Sequence, residues 1–172
     1  MSRHRIDGRR IDIERLDGVP RLVTAAELAR TMARALEAAA APSPASIGLV
    51  LAGDRELAEL NAGHMGKSGP TDVLSFPLLP REAFRPGGTS PAFTLPPRRL
   101  PHLGDVVVSV ERAIAQAEGG RGGQTGDVRW SPADELRLLV LHGALHVCGW
   151  DHAEPEEEVA MRALERELLA RA

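Results

Sequence analysis

Three of the six histidines in this 172-residue chain fall in one short stretch, His142-Gly143-Ala144-Leu145-His146-Val147-Cys148-Gly149-Trp150-Asp151-His152. His142 and His146 lie four apart in apolar surroundings. Four residues of helix turn through about 400°, so both imidazoles stand on one face, one turn apart. Two ligands of one metal ion need that separation. Gly149 can end the helix, and the chain can then bring His152 back to the same ion. Three imidazoles without a fourth protein ligand are the pattern of a catalytic zinc site with an open position. Zinc held in this way lowers the pKa of a bound water to about 7 and polarises a carbonyl or phosphoryl oxygen. The expected chemistry is hydrolysis, of a bond the motif does not specify.

The neighbours narrow that chemistry. Zinc peptidases of the His-Glu-x-x-His type place their general base directly after the first histidine. Gly143 stands there, which argues against a peptidase. Asp151 precedes the third histidine; it suits a carboxylate that orients an imidazole through its second N–H, with direct catalysis as the alternative. Cys148 is the sole cysteine, so no internal disulfide can form. It lies two residues from His146, pointing across the helix, and reads as a small core residue. Trp150 reads as packing that shields the site.

The elements that must position these groups follow from periodicity and capping signals. Ser131-Pro132-Ala133-Asp134-Glu135 opens the histidine helix: serine caps, proline suits the first turn, and acids suit the positive end of the dipole. A last helix starts near Pro155, with Met161, Leu164 and Leu168 as its apolar stripe and Glu158 with Arg162 as an i,i+4 pair. Upstream, Thr24 to Glu27 is a capping box for a helix reaching about Ala40. Arg55 to Asn61 and Glu111 to Glu118 are shorter helices. Strands are expected at 10–16, 47–52, 72–76 and 104–110. The stretches 79–101, rich in proline, and 119–130, rich in glycine, read as flexible loops. The fold class is α/β (α+β), a small mixed sheet flanked by helices, in one domain spanning 1–172.

The formal net charge is −3 and Lys67 is the only lysine. Bulk charge therefore does not mark a protein that coats nucleic acid. The polar N-terminus does not resemble a signal peptide, and no apolar run approaches the ~20 residues of a membrane span. A cytoplasmic protein is expected, with no membrane partner; its oligomeric state is left open.

The pattern His142-Gly-x-Leu-His146-x-x-Gly149-x-Asp151-His152 resembles the signature of the YbeY endoribonuclease family, bacterial ribosomal RNA maturation factors. Leu60-Asn61, Gly66-Lys67 and Pro70-Thr71-Asp72-Val73-Leu74-Ser75-Phe76-Pro77 resemble the family's second motif. Gly104-Asp105-Val106-Val107-Val108-Ser109 resembles the strand before its metal helix. The resemblance spans roughly Ile47 to Leu169. It implies a zinc ion held by His142, His146 and His152, one per chain, and cleavage of single-stranded RNA. The role implied is small-subunit ribosomal RNA maturation and ribosome quality control, with ribosomal RNA or subunits as partners.

Asp105 and Asp151 are candidate catalytic residues, with Asp72 a further candidate base. Lys67 and Ser75 are candidate substrate contacts. One departure matters: the family usually has an arginine one residue before the Gly-Lys pair, and here that residue is Met65. An arginine fork can take two phosphate oxygens and methionine cannot, which leaves Lys67, or Arg98 and Arg99, as substitutes. Two other readings remain open from the sequence: a zinc hydrolase of peptides or small esters, and a non-catalytic ribosome assembly factor.

Overall fold

The computed structural model describes residues 1–84, 99–119, 130–152 and 154–170. Its centre is a five-stranded mixed sheet ordered β1-β2-β3-β5-β4. The strands are β1 (Ser2–Ile6), β2 (Arg9–Arg15), β3 (Ala45–Ala52), β4 (Val73–Pro77) and β5 (His102–Ser109). β2, β3 and β5 run parallel, while β1 and β4 are antiparallel edges. The helices are α1 (Ala25–Ala38), α2 (Asp54–Leu60), α3 (Val110–Glu118), α4 (Pro132–Val147) and α5 (Pro155–Ala170). The expected α/β class holds.

β1 is a strand that periodicity did not predict. It pairs with β2 through a tight turn at Asp7 and Gly8, both with positive φ (49° and 76°). An Asp-Gly pair is the favoured chemistry for such a hairpin turn, so the signal lies in the residues at the tip. The stretch 79–101 also differs from its loop reading at its start. Arg81–Phe84 forms a 3₁₀ turn, and Leu79, Ala83 and Phe84 are buried in the core. Residues 85–98 and 120–129, which hold most of both expected loops and Arg98, lie outside the described residues.

The sheet has two unlike faces because strand side chains alternate. Ile47, Leu49 and Leu51 of β3, with Val106 and Val108 of β5, join the large core beneath α1 and α4. Ala52 and Val107, from the opposite face, join Leu57 of α2 and Leu74 of β4 in a smaller cluster. α4 is apolar nearly all round, with Leu136, Val140, Leu141, Ala144 and Leu145 at most 1% exposed, as expected of a helix enclosed by a sheet and other helices. No helix among the described residues is long and apolar enough to cross a membrane.

Candidate metal centre

α4 begins as its sequence requires. Ser131 Oγ accepts the Asp134 N–H (3.2 Å), and the Asp134 carboxylate accepts the Ser131 N–H (3.1 Å). It ends in the turn expected of Gly149. The Gly149 N–H donates to His146 O (2.9 Å) and the Trp150 N–H to Leu145 O (3.1 Å), with Gly149 at φ 81°. This is the Schellman arrangement, in which a left-handed residue satisfies the last helix carbonyls. Gly149 is needed for space as well, since a Cβ there would lie 2.7 Å from the Arg81 side chain.

The reversal returns His152 to the other two imidazoles. One ligand nitrogen from each of His142, His146 and His152 lies within 4.8 Å of the others, and the Nε2 atoms of His142 and His146 are 3.0 Å apart. Two nitrogens on one tetrahedral ion at about 2.0–2.1 Å stand roughly 3.3 Å apart. The three histidines can therefore hold a metal ion.

His142 is oriented by a residue the sequence reading did not single out. Glu165 of α5 is 3% exposed, and its Oε1 lies 2.7 Å from His142 Nδ1. With Nδ1–H donating to that carboxylate, the Nε2 lone pair is left for an ion. A clue existed in the sequence: Glu165 lies four residues after the buried Met161 on a helix, where a charge sits against the apolar stripe. Burial, then the charges of His142 and His152, push the His146 imidazole down to about 4. It is neutral at pH 7 and can coordinate.

Gly143 marks how closely α4 lies on the sheet. A Cβ there would be 2.5 Å from Val106 and 3.0 Å from Val73. The Gly143 carbonyl also accepts the Ser75 hydroxyl at 3.0 Å, tying β4 to the helix. A glutamate at 143 has no room, so the missing peptidase base is enforced by packing.

Two cavities meet at the histidines. The larger, about 600 Å³, runs along β4 and is lined by all three imidazoles, His64, Met65, Asp72, Ser75 and Phe76. The smaller, about 270 Å³, opens toward α5 and is lined by His142, His152, Asp72, Glu158, Met161, Arg162 and Glu165. Asp72 borders both. Burial works to raise its pKa, but hydrogen bonds from Gln116, Thr71 and the backbone N–H groups outweigh this and hold it below the usual carboxylate value.

The sequence of this family's motifs is matched by direct comparison. The sequence model of the family described as Endoribonuclease YbeY matches residues 17–172. The chain belongs to the YbeY endoribonuclease family. A protein named Endoribonuclease YbeY from Thermobifida fusca is 39% identical over 93% of this chain and 92% of that protein. One of the same name from Symbiobacterium thermophilum is 40% identical over 84% of each. A solution structure from Thermotoga maritima shows a more distant likeness: 21% identity and a TM-score of 0.49 over 92% of this chain and 86% of that one.

Set against the YbeY motifs, the candidate residues divide. Ser75 lines the larger cavity, although its proton is committed to Gly143. Lys67 lines neither cavity; it and Arg99 are exposed. Asp105 is not at the histidines. Val106 packs on Gly143, so by strand alternation Asp105 points to the other face, where its Oδ1 lies 3.1 Å from His102 Nε2. Asp151 holds no imidazole through its carboxylate; it is exposed and accepts the His152 N–H (2.8 Å). The orienting role expected of Asp151 is filled by Glu165 at His142. Cys148 and Trp150 pack with the core as expected, and burial pushes the Cys148 thiol up to about 12.

Proposed function

We propose that this chain is a zinc-dependent endoribonuclease for single-stranded RNA, acting in small-subunit ribosomal RNA maturation and ribosome quality control in the cytoplasm. The observation that carries the reading is the convergence of three imidazoles where two cavities meet, in a family whose relatives are named endoribonucleases. Zinc held by His142, His146 and His152 would supply a water activated at neutral pH and a positive charge toward a phosphoryl oxygen.

The chain's own residues do the rest. Glu165 keeps the His142 Nε2 lone pair directed at the site. Asp72, ionised and adjoining both cavities, is placed to orient a water or a 2′-hydroxyl and to accept its proton. Asp105, across the sheet, takes no part, and Asp151 acts through the turn that presents His152. The larger cavity is an open groove along β4, of a kind that a single strand can lie in. Two rings border it besides the three imidazoles, His64 and Phe76, edge-on to each other with centroids 5.2 Å apart. So few stacking rings, with no lysine or arginine among the described lining residues, support modest RNA affinity, so a ribosomal subunit or protein partner supplies the remainder.

Zinc-loaded protein is expected to cut single-stranded RNA and spare the duplex. His146→Ala should lose both the bound zinc and the cleavage, read by metal analysis and by gel. Undiminished cutting by that variant would identify a contaminating nuclease and sink the proposal.

A further inference from the structure

The side chains that line the two cavities include, among the described residues, one arginine and no lysine. Among the described residues, the larger is lined by no lysine or arginine; Met65 on its wall is 56% exposed and uncharged. The smaller is lined by three carboxylates, Asp72, Glu158 and Glu165, and by one cation, Arg162. We infer that Arg162 is a substrate-positioning residue, whose guanidinium takes the phosphate next to the scissile bond on the α5 side of the imidazoles.

The placement of Arg162 follows from the helix. Met161 and Leu168 are 1% and 5% exposed and set the rotation of α5 against the core. Glu158, Arg162 and Glu165 follow at i, i+4 and i+7, so they form one stripe. Glu165 at the end of that stripe reaches His142, and Arg162, one turn earlier, lines the same cavity as His142, His152 and Asp72. A phosphate in this cavity lies between the imidazoles and the guanidinium.

The present partner of Arg162 is exchangeable. It pairs with Glu158, and the two side chains are 43% and 45% exposed. An exposed i,i+4 pair is screened and contributes little. A phosphate offers the planar fork two oxygens at once. The three carboxylates in the wall work against an anion, and Arg162 is the lining side chain that offsets them beside any ion the imidazoles hold. Arg162 thus supplies, from another helix, the fork that Met65 cannot.

This inference rests on the endoribonuclease reading, and one set of assays separates the two. Zinc-loaded wild type, His146→Ala, Arg162→Ala, Arg162→Lys and Glu158→Gln are compared on a single-stranded RNA oligonucleotide. Arg162→Ala should raise KM about tenfold, as for loss of one charge-assisted contact, with kcat within about twofold and zinc content unchanged. Its slope of log KM against log salt should flatten by about 0.7, the value for one contact to single-stranded phosphate. Arg162→Lys should recover the slope but only part of KM, since the bidentate geometry is lost. Glu158→Gln should leave KM equal or lower. A KM for Arg162→Ala within about twofold of wild type overturns the role while leaving the nuclease reading in place. So does a rise in KM for Glu158→Gln that matches Arg162→Ala, since the ion pair itself would then be what matters. Wild type that cuts no RNA takes down both.

Discussion

His102 and His142 stand on opposite sides of the sheet, and each has a carboxylate on one ring nitrogen: Asp105 at 3.1 Å for the first, Glu165 at 2.7 Å for the second. They differ in the nitrogen left over. His102 Nδ1 lies 3.0 Å from the hydroxyl of Ser46, a residue 2% exposed. Both nitrogens are taken by the protein, and the ring cross-links β3 to β5. The second nitrogen of His142 faces, among the described residues, the imidazoles of His146 and His152. A histidine beside a carboxylate is therefore a ligand or a strut according to where its other nitrogen points. The carboxylate on the α4 side comes from a separate helix, α5. The carboxylate on the far side comes from the same strand, three residues away, and closes the cluster on itself.

The contrast can be broken or sharpened by single substitutions. The largest effect is expected at Glu165. Glu165→Gln should lower zinc affinity about 10- to 100-fold, the usual cost of losing an orienting partner, measured by chelator competition with circular dichroism unchanged. Wild-type affinity would mean that the carboxylate is only a strut, as Asp105 is for His102.

A smaller effect is expected at Gly143. An alanine gains up to about 1 kcal/mol of helix propensity but forces a Cβ to within 2.5 Å of Val106. Overpacking costs about 1–3 kcal/mol, so Gly143→Ala should destabilise the fold in urea. Val106→Ala added to it should return part of the loss, because the two residues touch. If the two changes simply add, the close approach is not what demands the glycine.

The smallest effect is expected across the sheet. Asp105→Asn should leave zinc content and RNA cleavage within about twofold and cost about 0.5–1.5 kcal/mol, the net worth of one hydrogen bond. Loss of cleavage with metal retained would return Asp105 to the list of catalytic groups.

Much of the scaffold is legible in local signals. Thr24 with Glu27 and Ser131 with Asp134 each form the reciprocal cap their spacing implies. Gly149 ends α4 in the left-handed turn its identity invites. Met161 and Leu168 are buried where the stripe of the last helix puts them. The hairpin of β1 and β2 was legible only in Asp7-Gly8, since a half-exposed edge strand carries arginines among its alternating residues. The core role of Leu79 and Phe84 was hidden by the prolines around them, because composition reports chain stiffness and not which apolar side chains find a partner.

The sequence by itself determined that His142 and His146 share a helix face, that the chain reverses at Gly149, and that no carboxylate follows the first histidine. These are properties of spacing and backbone preference, and they need no distant contact. Only the tertiary structure decided that Glu165, 23 residues beyond His142, is its partner. It also decided that Asp72 borders both cavities and that Asp105 does not reach them. Helix and strand periodicity sets which way a side chain points along its own element. Which groups from other elements stand opposite it depends on how those elements pack, and here that depends on α4 lying close enough to β5 for Gly143 to rest on Val106.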